Sequence, residues 1–139
     1  MSANIKKVCY NVWELIIMSK MKFKIKLESD LENLDFTVNG IKNKNKITYK
    51  EINVFVTLLI SENKITMKRV CNDYTINLIF VHNKETYSTY SVFGGSKVFD
   101  LSTFTNNVEI SDNRIIIDYN LEGNKFLYVI EMEELDGIR

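Results

Sequence analysis

The stretch from Lys46 to Phe80 restricts the fold more than any other, because its strand register follows from spacing alone. Ser61-Glu62-Asn63-Lys64 reads as a tight turn between two runs rich in β-branched residues. Centring that hairpin on Glu62-Asn63 sets Ile60 against Ile65, Leu58 against Met67, Val56 against Arg69 and Val54 against Cys71. A second turn at Asn72-Asp73 sets Arg69 against Ile76, Met67 against Leu78 and Ile65 against Phe80. Both registers place the same apolar row on one face, interrupted by a single charge, Arg69. A slip of one residue would turn that row to solvent, so the agreement of two independent turns is strong support for three consecutive antiparallel strands.

The pattern extends in both directions. Phe23, Ile25 and Leu27 alternate with Lys22, Lys24 and Lys26, the signature of a half-buried antiparallel strand. Leu34, Phe36 and Val38 repeat the period up to Gly40, and Asn43 to Asn45 supply a polar loop. Ile47, Tyr49 and Glu51 share a face. The inward parity changes between Glu51 and Val54, which requires a turn or bulge there. A turn centred on His82-Asn83 sets Tyr87 against Leu78 and Thr89 against Ile76. After Gly94-Gly95, Phe99, Leu101 and Thr103 alternate, and Asp112-Asn113 folds Val108 and Ile110 onto Ile117 and Ile115. Gly123-Asn124 is the strongest hairpin signal, and it sets Leu121 against Phe126, Tyr119 against Tyr128, Ile117 against Ile130 and Ile115 against Met132.

A meander of roughly eight to ten short strands curls and closes. The predicted fold is therefore all-β, an antiparallel up-and-down barrel. Closure pairs the first strand with the last, and the charge distribution suits it. Residues 1–50 carry ten lysines and five acids, whereas residues 101–139 carry eight acids and three basic residues. Outward Lys22, Lys24 and Lys26 would then face outward Glu131 and Glu133.

At 139 residues, 45% hydrophobic and 26% charged, the chain is one ordinary globular domain. A formal net charge of zero gives no overall attraction to nucleic acid or an anionic membrane. Cys9 and Cys71 belong to no disulfide framework and fit free thiols in a reducing, cytoplasmic setting. Residues 1–20 break the alternation. Their apolar patch, Val8 to Met18, is too short to span a bilayer and is interrupted by Glu14. The expected organisation is a non-core extension over residues 1–20, either a short helix or sequence upstream of a natural start at Met18 or Met21. The barrel domain then covers residues 21–139.

Several segments carry a family resemblance. They are Ile47-Thr48-Tyr49-Lys50-Glu51, Asn63 to Arg69, Leu78-Ile79-Phe80, Tyr87-Ser88-Thr89, Leu101-Ser102-Thr103 and Ile117 to Leu121. In this order and spacing the chain resembles the YwiB-like family of small bacterial proteins of unknown function, over about residues 21–135. The resemblance implies a calycin-like β-barrel and a bacterial cytoplasmic origin, and it brings no activity. The family's Thr-Pro-Tyr-Gly turn is replaced here by the longer Thr89-Tyr90-Ser91-Val92-Phe93-Gly94.

The candidate site follows from the inward polar residues. Glu51, Arg69 and Thr89, with Tyr49, Tyr87 and Tyr119, all face inward on these registers, and Met67 lies beside them. A charge inside a barrel is costly unless paired. The functional reading is that Arg69, braced by Glu51, binds the carboxylate or phosphate of a small, partly hydrophobic ligand. Val56, Leu58, Met67, Leu78 and Ile117 would hold its apolar part. The alternatives are a salt bridge that plugs a filled barrel acting as a homodimer or interaction module, and, third, acid–base chemistry. No cofactor or metal is expected: His82 is the lone histidine and sits in a turn. Ser88 and Ser91 lack a nucleophile-elbow context. Lys42, Lys44, Lys46 and Lys50 lack the aromatic platform of a nucleic-acid binder and suit an aggregation-resistant edge.

Overall fold

The computed structural model describes residues 18–135. Ten strands form a closed barrel in which each pairs antiparallel with its neighbours in sequence and β1 pairs with β10. They are β1 (Met18–Ser29), β2 (Asn33–Asn43), β3 (Lys46–Lys50), β4 (Phe55–Ser61), β5 (Lys64–Val70), β6 (Tyr74–Phe80), β7 (Lys84–Val92), β8 (Lys97–Ile110), β9 (Arg114–Leu121) and β10 (Asn124–Glu134). One turn of 3-10 helix, Phe93–Gly95, links β7 to β8. The expected up-and-down barrel is the observed one. The boundary expected at residue 20 falls inside β1, and Cys9 and the apolar patch before Met18 lie outside the described residues.

Alternation drives each element. Met21, Phe23 and Ile25 are buried while Lys22, Lys24 and Lys26 are exposed. Closure sets Lys22 opposite Glu133 and Lys24 opposite Glu131, as the charge pattern requires. The β4–β5 and β5–β6 registers match the expected pairs from Ile60–Ile65 to Arg69–Ile76, as do Val108–Ile117 and Ile110–Ile115. The ladder stops at Phe55–Val70, one step short of Val54–Cys71. Those two residues serve turns instead: Glu51 N–H donates to the Val54 carbonyl, and Cys71 N–H to that of Tyr74.

Two hairpins differ from expectation. The β9–β10 turn centres on Glu122-Gly123, both at positive φ (49° and 82°), so Tyr119 faces Phe126 and Ile117 faces Tyr128. Glycine thus takes the second turn position, and Glu122 is held in its costly backbone conformation by its N–H bond to the Ser102 carbonyl (2.9 Å). This two-residue shift changes partners but keeps every face. The β6–β7 hairpin slips by one, which does not. Asn83 adopts a left-handed conformation (φ 59°) and lengthens the loop, so Asn77 faces Thr89 and Ile76 faces Tyr90. Tyr87 and Thr89 therefore point outward, and Ser88 and Tyr90 inward.

Gly40 also departs from expectation, since β2 runs through it to Asn43. A Cβ at this position would lie 2.6 Å from Phe23 Cε2 and against the Thr48 carbonyl oxygen. Glycine is there so that the Phe23 ring can lie over the strand.

The interior is filled. Phe80 on β6 meets Tyr119 on β9 with ring centroids 4.6 Å apart, and Tyr49 on β3 reaches Tyr128 on β10, oxygen to oxygen at 3.0 Å. Neither pair sits on neighbouring strands, so these contacts cross the lumen. A ten-stranded barrel is wider than the eight-stranded size that aliphatic side chains just fill, and aromatic rings take up the difference.

Candidate functional site

Up-and-down topology puts the connections after β1, β3, β5, β7 and β9 on one rim. Arg69 lies near the end of β5 and Glu51 directly after β3, so both reach this rim from inside the wall. Arg69 Nη2 donates to Glu51 Oε1 at 2.8 Å and Nη1 to Oε2 at 3.1 Å, a bidentate pair. Their side chains retain 22% and 17% exposure, so the pair stands at the mouth and neither side chain is sealed in the core. Burial alone would lower the Arg69 pKa, but the Glu51 hydrogen bond and charge outweigh it and hold the guanidinium above its usual range.

Tyr49, Tyr74 and Tyr119 all lie within range of the Arg69 charge. Tyr49 lies beneath it, its phenol pushed up to about 12 by burial, against the lowering effect of its bond to Tyr128. Burial likewise raises Tyr128 and Tyr119, and Arg69 works in the opposite direction on both. Tyr119 stacks on Phe126 at 5.2 Å, within 9° of parallel. On the other side of Arg69, Tyr74 stacks on Tyr90 at 5.7 Å, and Tyr90 meets Phe99 at 6.3 Å. The Tyr49, Tyr119 and Tyr128 phenols, all raised by burial, stay protonated at neutral pH and act as hydrogen-bonding groups rather than bases.

Of the seven residues expected at the site, Tyr49, Glu51, Arg69 and Tyr119 come together. Met67 is buried in the core below, with Val56, Leu58, Leu78 and Ile117. Tyr87 is 62% exposed on the outer surface, and Thr89 shares its outward parity. They leave the site because Asn83 lengthens their hairpin. The positions that replace them are Ser88 and Tyr90. Ser88 is fully buried, accepts from the Ile79 N–H at 3.0 Å and bonds the Thr103 hydroxyl at 2.8 Å, which makes it a structural bridge. Tyr90 joins the aromatic rim. Its signal was the alternation Ser88, Tyr90, Val92, which reads inward only when the loop holds an odd number of residues. Tyr128 was legible from Phe126, Tyr128 and Ile130.

The arrangement holds a charge pair that is neutral as a unit, with N–H donors of Arg69 left over beyond the two given to Glu51. Among the described residues, no group of three His, Cys, Asp or Glu side chains could hold a metal ion, and His82 is exposed. No helix there is long and apolar enough to cross a membrane.

The solved structures include one similar fold, the crystal structure of ywiB protein from Bacillus subtilis, at a TM-score of 0.65 and 20% identity. The alignment covers 85% of this chain and 93% of that one. No curated protein matches the chain. The family described as Domain of unknown function (DUF1934) matches residues 19–132, nearly the whole barrel. The chain thus belongs to this YwiB-like family, whose function is unknown.

Proposed function

We propose that the barrel is a non-enzymatic binding protein whose small ligand sits in the aromatic cup at the Arg69 rim. The observation that carries this reading is the bidentate Arg69–Glu51 pair, only partly exposed, with Tyr49, Tyr74 and Tyr119 within range of the Arg69 charge; Tyr74 stacks on toward Tyr90 and Phe99, and Tyr119 on Phe126. An arginine with unused donors beside aromatic faces suits a carboxylate or phosphate joined to a flat apolar body. The ligand rests on the rim rings and not deep in the lumen, because Val56, Leu58, Met67, Leu78 and Ile117 pack against one another. Its setting in this reading is the reducing cytoplasm of a bacterium, in keeping with the sparse cysteines. Native mass spectrometry of protein purified without detergent tests it. A mass excess that is lost on denaturation, and that Arg69→Met abolishes while keeping the fold, supports the cup. An excess unchanged in Arg69→Met removes it.

A second reading is an interaction module that works through its outer surface. The filled lumen favours it, as does an uncharged row running across five strands outside the barrel: Phe55, Val70, Thr75, Ser91 and Val98 are successive register partners. Phe55 and Val98 are more than half exposed.

A further inference from the structure

The β7–β8 hairpin reaches beyond its neighbours at the Arg69 rim. β8 pairs with β7 from Lys97 to Thr105, but with β9 only from Thr103 onward. Between Lys97 and Leu101 it therefore has a free flank. The parity of that flank is fixed by the next residue. Ser102 N–H donates to the Glu122 carboxylate, and the Ser102 carbonyl accepts from Glu122 N–H, so both backbone groups of Ser102 point away from β7. Backbone direction alternates along a strand, so the N–H and C=O groups of Val98 and Asp100 point the same way. Among the described residues no donor or acceptor meets them. Three exposed apolar side chains lie here, Val98 (57%), Phe99 (51%) and, in the preceding turn, Phe93 (74%), alongside exposed Lys97 and Asp100.

The flank has two hard limits. At one end Ser96 leaves the strand (φ −71°, ψ −20°), and at the other the Glu122 turn occupies Ser102. The window is Lys97–Leu101, and its centre is Phe99. We propose that this edge of β8 pairs antiparallel with the same edge of a second copy, about a two-fold axis through Phe99. This rests on the interaction-module reading and gives it a surface and a register.

The window is complementary to itself. Antiparallel pairing about Phe99 matches Val98 of each copy with Asp100 of the other. These are the residues whose backbone groups face outward, so they form the hydrogen-bonded pairs. Phe99 meets its own counterpart at the non-hydrogen-bonded position, where side chains approach most closely. A register one residue away would match outward-facing with inward-facing backbone and make no bonds. Centring Asp100 or Val98 instead keeps only one hydrogen-bonded pair, because the next outward residue is then Ser102, which Glu122 already holds, or Ser96, which has left the strand; centring Phe99 gives two. β2 has a similar free flank between Asn33 and Asn39, but its outward residues Asn33, Asp35, Thr37 and Asn39 keep it polar. The β8 window is short, and its two Asp100 side chains lie diagonally across the axis, so the dimer is weak and concentration-dependent.

The test uses the full chain with Cys9 and Cys71 replaced by serine, and adds Phe99→Cys. Cβ atoms at a directly opposed non-hydrogen-bonded pair are about 4.5–5.5 Å apart, which a disulfide can close with small adjustment. The expected result is a sedimentation coefficient that rises with concentration, and a covalent dimer that forms under mild oxidation at Phe99→Cys but not at an exposed control, Tyr87→Cys. Val98→Pro removes one edge donor and no bond to β7, so it should abolish association with the far-UV circular dichroism unchanged. A monomer at every concentration overturns both the proposal and homodimerisation. A dimer that Phe99→Cys fails to link, or that survives Val98→Pro, overturns the β8 edge alone and moves the interface to another surface.

Discussion

Removing Arg69 probes the site directly, because its one strong partner is Glu51. At a charge separation near 4 Å and the effective dielectric of a protein boundary, the attraction is about 4 kcal/mol. Desolvation of two partly buried groups offsets much of that, and their 22% and 17% exposure lets solvent screen part of the rest. The bidentate geometry restores some of it, so the expected coupling is about 1–2 kcal/mol. Arg69→Met leaves the Glu51 carboxylate without its two donors and is expected to cost about 2–3 kcal/mol. Glu51→Gln should cost somewhat less, since an amide still accepts one bond from Arg69. The double variant should fall short of the sum of the singles by the coupling. Urea unfolding followed by far-UV circular dichroism measures all four proteins, with an unchanged m-value as the check that only stability moved. Additivity within about 0.3 kcal/mol would refute the reasoning, because a screened surface contact, and not a bracing pair, behaves that way.

Two further tests address the phenols and the register. Tyr49 is raised to about 12 from 10.0, so folding favours its neutral form; that stability is intact below pH 10 and is lost as pH climbs toward 12. A two-unit shift corresponds to about 3 kcal/mol, and absorbance near 295 nm should show buried tyrosines ionising only together with alkaline unfolding. Independent titration of Tyr49, Tyr119 and Tyr128 near 10 in the folded protein would contradict their burial. Ser88→Ala strands the Ile79 N–H and leaves the Thr103 hydroxyl only its bond to the Leu101 carbonyl (3.2 Å), and should cost about 2 kcal/mol, whereas Tyr87→Ser should stay within about 0.5 kcal/mol in thermal or urea unfolding. The reverse order would restore the register expected from a His82-Asn83 turn.

Much of this protein was determined by its sequence. Strict alternation in Phe23-Ile25-Leu27, with polar turns at regular intervals, leaves few options besides an antiparallel meander. The β4–β5–β6 registers were legible because two turns had to agree on one apolar face. Closure was legible because the lysines of β1 and the glutamates of β10 sit at matching outward positions. The Arg69–Glu51 pair followed from the same registers.

The tertiary structure decided what depends on backbone conformation and on contacts between distant strands. Whether a loop takes an even or odd number of residues hangs on one residue, Asn83, in a left-handed conformation, and that moves Tyr87 and Thr89 out of the site and brings Tyr90 in. Glu122 can occupy a positive-φ turn position because Ser102, far away in sequence, bonds it. Gly40 sits mid-strand because the Phe23 ring crosses it. The Tyr49–Tyr128 and Phe80–Tyr119 contacts that fill the lumen join strands that are not neighbours, and no local pattern records them. Alternation specifies which face a side chain takes; only closure of the barrel specifies what it meets there.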